Sequence, residues 1–272
     1  MKHQSNILAL KYRPLNFEDL IGQEYLVETI QKSIQQNKIP NAYIFTGIRG
    51  VGKTTTARIV AKMLNCTVFD KNNNPDLINC EQAKAITEDR HPDVIEIDAA
   101  SNTSVENARE IIENVKYNPV LGKYKVYIVD EVHMLSKSAF NALLKTLEEP
   151  PPHSKFIFAT TEISKVPITI LSRCQRFDLR RVEKKTLSDF LKSIAKKEDI
   201  TISNEALNLI VKASDGSVRD SLSILDQANV FKAQKEIQVE EIVNMLGFAR
   251  QSDLYELSRC IFCLLYTSPS PR

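Results

Sequence analysis

Residues Gly47-Ile48-Arg49-Gly50-Val51-Gly52-Lys53-Thr54 carry the pattern G-x-x-x-x-G-K-[ST], and each residue type in it has a chemical use. Gly47, Gly50 and Gly52 let the backbone curl so that successive N–H groups converge on phosphate oxygens, with Val51 and Thr55 as neighbours in the cradle. Lys53 has the reach and charge for β- and γ-phosphates, and the Thr54 hydroxyl is a ligand for Mg²⁺. A helix starting at this point adds the positive end of its dipole. The chemistry is that of an ATP-binding loop.

A second pair of groups lies at Asp130-Glu131, where the apolar run Val126-Tyr127-Ile128-Val129 ends. A buried strand ending in two carboxylates delivers them to the C-terminal edge of an open sheet, where ligands of such sheets sit. Asp130 is placed to hold the Mg²⁺ and Glu131 to orient and polarise an attacking water. Together the two motifs describe nucleotide hydrolysis.

The elements around these residues alternate. Residues 42–45 form a short buried strand before the glycine loop, and 54–64 follow as a helix. Residues 67–79, with four Asn and a Pro, form a loop insertion. Strand 93–97, helix 104–115, strand 125–129 and helix 138–148 follow, the last stopped by Pro150–Pro152. Strand 155–160 and a short strand 177–179 complete the set, and a helix covers 25–36. Near-continuous apolar strands separated by helices predict a parallel five-stranded sheet covered on both faces.

Beyond residue 180 only helical periods remain. Leu187, Phe190, Leu191 and Ile194 share one face, with Thr186 and Asp189 spaced as a capping box. Leu207, Ile210 and Val211 mark a second helix, and Leu222 and Leu225 a third after Gly216-Ser217. The expected domains are therefore 1–180 for nucleotide binding, 181–246 as a small all-helical lid, and 247–272 as the start of a truncated third domain. Residues 260–272 break the helical period and end in a Ser/Pro tract, so the natural chain is expected to continue differently there.

The bulk composition excludes several classes. A hydrophobic content of 43% with 26% charged residues over 272 residues is that of a globular chain, not a disordered or collagen-like one. No apolar run approaches a membrane span, and the N-terminus lacks a signal-peptide pattern. Five scattered cysteines argue against a disulfide scaffold and for a reducing, cytoplasmic setting. A net charge of +2 leaves any nucleic-acid contact to local charge.

With these motifs in place, the chain resembles the AAA+ ATPases and, among them, the bacterial clamp-loader ATPases. The resemblance rests on Lys11-Tyr12-Arg13-Pro14 with Phe17-Glu18-Asp19-Leu20-Ile21-Gly22-Gln23, the glycine loop, and Ile95-Glu96-Ile97-Asp98-Ala99-Ala100-Ser101. It continues through Asp130-Glu131-Val132-His133-Met134-Leu135, the stretch from Asn141 to Pro150, Ser172-Arg173-Cys174, and Gly216-Ser217-Val218-Arg219-Asp220. The Ser-Arg-Cys triplet is the sharpest of these, because it belongs to clamp loaders rather than to AAA+ proteins at large.

That resemblance implies further roles. Tyr12, Arg13, Pro14 and Ile21 would line the adenine pocket, Thr161 would occupy the sensor-1 place, and Arg219 would bridge the lid to the nucleotide as sensor 2. Arg173 resembles an arginine finger acting on ATP held by a neighbouring subunit. The implied partners are other clamp-loader subunits in a ring, a sliding clamp and the phosphate backbone of primed DNA, with no membrane. The implied activity is an ATPase working within a replicative polymerase holoenzyme, which is a nucleotidyltransferase complex.

In one place the chain departs from the family. Clamp-loader ATPases of this kind carry a four-cysteine zinc module after the glycine-loop helix, whereas here only Cys66 and Cys80 remain, with Leu77 and Ala83 at the other two places. Structural zinc takes four N or S ligands, and His91 is wrongly spaced to supply one, so zinc is expected to be absent. Two rival functions share the fold. A branch-migration motor is disfavoured by Ser172-Arg173-Cys174, and a non-hydrolysing clamp-loader scaffold by intact Lys53, Thr54, Asp130 and Glu131.

Overall fold

The structure is a computed structural model and describes residues 7–69, 75–101, 105–231, 236–247 and 251–267. In chain order the first elements are helices α1 (Leu8–Lys11) and α2 (Glu24–Gln35), strand β1 (Ala42–Thr46) and helices α3 (Lys53–Asn65) and α4 (Glu81–Thr87). Then come β2 (Val94–Asp98), α5 (Val105–Val115), β3 (Lys125–Asp130), α6 (Lys137–Glu148), β4 (Ser154–Thr160), α7 (Ile168–Leu171) and β5 (Gln175–Asp178). Helices α8 (Lys184–Lys197), α9 (Asn204–Ala213), α10 (Val218–Phe231), α11 (Val239–Leu246) and α12 (Gln251–Thr267) follow.

The five strands form one parallel sheet in the order β2-β3-β4-β1-β5. Successive side chains of a strand point to opposite faces, and here both faces are apolar. Ala42, Ile44, Tyr127, Val129, Phe156 and Phe158 join the core beneath α5, α6 and α7. Tyr43, Phe45, Val126, Ile128 and Ile157 join the opposite core with Ala57, Val60 and Leu64 of α3. This double coverage is why β1, β3 and β4 read as unbroken apolar runs.

A third core belongs to the helical layer. Leu187, Leu191, Leu207, Ile210, Leu222, Leu225 and Ile242 are all buried there, and Leu8 of α1 packs among them. An isolated parallel bridge, Ile202–Ile237, interrupts the stretch that periodicity reads as helix alone. Ser203 caps α9 by accepting from Ala206 N at 3.2 Å. The expected cap at Thr186 and Asp189 is not used. Helix α8 starts earlier, after extended Glu183, because buried Val182 ties its N–H to Gly216 O at 3.1 Å and sets where the helix turns in.

Other differences are local. Strand β5 lies two residues before its expected start and pairs with β1 from Tyr43 to Thr46. Residues 70–74 of the expected loop and Ser104, the expected first residue of α5, lie outside the described residues. The break expected from residue 260 is corrected as far as Thr267, since α12 runs through to that residue. No glycine or proline interrupts Cys260–Thr267, so local propensity carries the helix on. The Ser/Pro residues 268–272 lie outside the described residues. Among the described residues no helix is long and apolar enough to cross a membrane.

Candidate active site

The glycine loop links the end of buried β1 to the start of α3, and two of its glycines are required by conformation. Gly52, the residue before α3, has φ 101°. Gly50 has φ 77°, and a Cβ there would lie 2.0 Å from Ser217 Oγ. The Gly50 carbonyl accepts from Arg219 N at 3.2 Å. The helical layer therefore rests directly on the loop, and a side chain at residue 50 would separate them.

Lys53 and Thr54 follow at the first turn of α3. Lys53 is buried, and its Nζ donates to Ile48 O at 3.0 Å within the same loop. Burial lowers its pKa from the usual lysine range, while the charges of Glu131 and Asp130 oppose that fall. Thr54 Oγ1 donates to Asp130 Oδ2 at 2.6 Å, joining α3 to the end of β3. A hydroxyl and a carboxylate side by side are hard oxygen donors of the kind Mg²⁺ takes, so this pair fits that ion.

Glu131 is the first residue past β3 and sits in the left-handed region, φ 46° and ψ 45°. Its N–H donates to Asp130 Oδ1 at 2.9 Å. Its carboxylate Oε2 accepts from Thr161 N at 3.1 Å and Thr161 Oγ1 at 3.0 Å. The tight turn and Thr161 thus set the direction of the second carboxylate.

Lys53, Thr54, Asp130 and Glu131 border a cleft of about 250 Å³ between the sheet's C-terminal edge and the helical layer. Of the residues singled out from sequence, Tyr12, Arg13, Pro14, Ile21, Gly50, Val51, Gly52, Lys53, Thr54, Thr55, Asp130, Glu131 and Arg219 line it. Gly47 and Thr161 do not, and Thr161 meets the cleft only through Glu131. Arg13 Nε donates to Thr55 Oγ1 at 3.3 Å, and its pKa is lowered by burial and by the neighbouring Arg58 charge. The Tyr12 hydroxyl donates to Glu198, which with burial pushes its pKa up to about 12.

Arg173 is not brought to this cleft. It follows α7, donates through Nη1 to Thr169 O at 2.5 Å and pairs with Glu148 at the end of α6. Lining residues that lie outside the motifs are Ala9, Leu10, Phe190 and Leu222. Phe190 and Leu222 carried only a core signal, because a helix face that closes a cleft has the same period as one that closes a core.

Away from the cleft, Cys66, Cys80 and Ala83 form a small buried cluster with Leu77 against it. The two apolar residues that stand in the expected ligand places are therefore packed on the two thiols. Burial pushes the Cys66 thiol up to about 11. Cys80 is also penalised by burial, but N–H groups of Ala83 and Thr67 and the Cys66 thiol outweigh that and lower its pKa. Among the described residues no group of three or more His, Cys, Asp or Glu side chains is arranged to hold a metal ion.

Comparison with known proteins places these features together. A family model described as DNA polymerase III, delta subunit, matches residues 22–183, and one described as DNA polymerase III clamp loader subunit, ATPase lid domain, matches 186–233. The DNA polymerase III subunit tau/gamma of Haemophilus influenzae is 47% identical over 241 residues, which are 89% of this chain and 35% of that protein. The subunit tau of Bacillus subtilis is 45% identical over 92% of this chain and 44% of its own length. The subunit gamma of Buchnera aphidicola subsp. Schizaphis graminum is 44% identical over 93% of this chain and 69% of its own length. The chain thus spans less than half of the first two relatives. Among solved structures, the Thermotoga maritima RuvB Holliday junction branch migration motor superposes with a TM-score of 0.63 at 17% identity, covering 87% of this chain and 72% of that one. At that identity the likeness is one of fold, a AAA+ sheet with a helical lid.

Proposed function

Because this chain belongs to the family of DNA polymerase III tau/gamma clamp-loader subunits, we propose that it binds and hydrolyses ATP as a motor subunit of a clamp loader. In this reading ATP binding lets a ring of subunits open and place a sliding clamp on primed DNA, and hydrolysis releases the clamp. The observation that carries the ATPase part is the meeting, at 2.6 Å, of Thr54 from the glycine loop and Asp130 from β3, with Glu131 beside them.

The roles follow from chemistry and position. Backbone N–H groups of the glycine loop and the Lys53 ammonium take the phosphate oxygens. Thr54 and Asp130 would hold Mg²⁺, which, when bound, neutralises phosphate charge. Glu131 accepts the proton of the attacking water, and Thr161 keeps its carboxylate turned toward that water. Arg219 reaches the phosphates from the lid, and the lining of Tyr12, Arg13, Pro14 and Ile21 with Phe190 and Leu222 receives the adenine. The division at residue 180 separates a nucleotide-binding domain from this lid. Nucleotidyl transfer is assigned to other parts of a polymerase holoenzyme, since the groups gathered here suit ATP hydrolysis. A ring of similar subunits, a sliding clamp and the DNA phosphate backbone are the proposed partners, all met in the cytoplasm.

ATPase rate of the complex assembled with full-length partners, measured with and without clamp and primed DNA, tests the reading. Stimulation by both is the expected result, and a rate indifferent to both assigns the chain to another AAA+ task. At the level of one residue, Lys53→Ala should weaken ATP binding on the order of 100-fold, through loss of charge-assisted hydrogen bonds to phosphate. Its melting temperature should stay near that of the parent, and undiminished affinity by calorimetry would refute the assignment. For the cysteine pair, elemental analysis should find no stoichiometric zinc, because Leu77 and Ala83 offer no ligand atoms. One tightly held zinc per chain would overturn this.

A further inference from the structure

The motif Asp130-Glu131-Val132-His133 contains a residue that the roles above leave unused. His133 lies on the short 3₁₀ turn Val132–Met134 that follows Glu131, and its side chain is only 6% exposed. Its Nδ1 is 2.9 Å from Thr160 Oγ1 and 3.4 Å from Glu131 Oε2. Its Nε2 faces Glu162 Oε1 at 3.6 Å, and Glu162 is in turn paired with Lys165 at 2.9 Å. Thr160 is fully buried at the end of β4, and its Oγ1 already accepts from Glu162 N at 3.0 Å.

These contacts converge on one oxygen. Thr161 N and Thr161 Oγ1 donate to Oε2 of Glu131, His133 Nδ1 lies beside the same oxygen at 3.4 Å while bonded to Thr160 Oγ1, and among the described residues no hydrogen bond reaches Oε1. A carboxylate held through one oxygen by groups on two different elements cannot swing freely, and its other oxygen is left for water. Buried imidazole packed between β4 and the turn is a stiff support for this, because it has few rotamers and is fixed through Thr160 as well.

We propose that His133 is a positioning residue for ATP hydrolysis: with its proton on Nδ1 it braces Oε2 of Glu131 against Thr160, so that Oε1 points to the attacking water. This rests on the assignment of Glu131 as base. Misplacing a catalytic group by about an ångström costs on the order of 100-fold in rate, so His133→Ala should lower kcat by roughly 10–100-fold. The Kd for ATP should hardly change, because His133 does not line the nucleotide cleft. Asparagine can set an amide N–H near the Nδ1 position, so His133→Asn should recover most of the lost turnover.

The decisive readout is the pair of backgrounds, in the full chain assembled with its partners. If His133 acts only through Glu131, then adding His133→Ala to Glu131→Gln changes kcat no further, since residues working as one unit are not additive. The proposal is overturned if His133→Ala turns over near the normal rate, or if it lowers the rate as much in the Glu131→Gln background as alone. Should His133→Ala fail to fold, His133→Asn decides: substantial turnover supports the brace, and a rate as low as that of Glu131→Gln overturns it. Glu131→Gln turning over normally would instead remove the base assignment beneath it, a separate and distinguishable failure.

Discussion

Arg173→Ala is expected to leave ATP affinity of the isolated chain within about twofold and to cut turnover of the assembled complex by roughly 10³–10⁵. The asymmetry follows from where the side chain is. Arg173 lies outside the cleft that gathers Lys53, Thr54, Asp130 and Glu131, and its guanidinium is occupied by Thr169 O and Glu148. It has no means of touching nucleotide in its own cleft, so a loss of affinity there has no physical source. A guanidinium presented to a neighbour's ATP, by contrast, supplies positive charge where the transition state gathers negative charge. Mixing separates the two cases. Arg173→Ala subunits combined with Lys53→Ala subunits in one complex should regain some turnover at interfaces that pair an intact glycine loop with an intact arginine. If Arg173→Ala lowers the affinity of the lone chain, the residue serves its own site and the trans role fails.

Glu131→Gln is expected to bind ATP with normal affinity and to lose about 10²–10⁴ in turnover, the usual contribution of a positioned general base. The substitution is close to isosteric, and its carbonyl oxygen can still accept from Thr161 N and Thr161 Oγ1, which now hold Oε2. Backbone geometry is no obstacle either, because the left-handed turn at this residue is stabilised by its own N–H on Asp130 Oδ1. What is lost is the negative charge that draws a proton from water. Calorimetry for affinity and single-turnover kinetics for the chemical step read the two separately. Near-normal turnover would place the base elsewhere in the cleft.

Much of this site can be read without a fold. The glycine loop declares itself because glycines at set spacings meet a backbone demand that other residues cannot, φ 77° at Gly50 and 101° at Gly52. The Asp130-Glu131 pair declares itself through the apolar strand it ends, and the sheet through side chains that alternate between two apolar cores. All of these signals are local, carried by dihedral preferences and periods of two or 3.6 residues.

Other features depend on contacts between distant segments, for which no local signal exists. Thr54 meets Asp130 across 76 positions, and Thr161 meets Glu131 across 30. Arg219 reaches the loop through its backbone N–H on Gly50 O, a bond to which its side-chain type contributes nothing. Phe190 and Leu222 close the cleft with the same periodicity that buries Leu187 and Leu225. The spacing of Thr186 and Asp189 suits a cap, yet the packing of Val182 starts α8 before them. The amino-acid order alone thus determined the phosphate loop, the paired carboxylates and the layered sheet, because each is dictated by backbone conformation or burial over a few residues. Which side chains meet across the cleft, and that His133 stands behind the second carboxylate, was decided only when packing brought β3, β4 and the helical layer together.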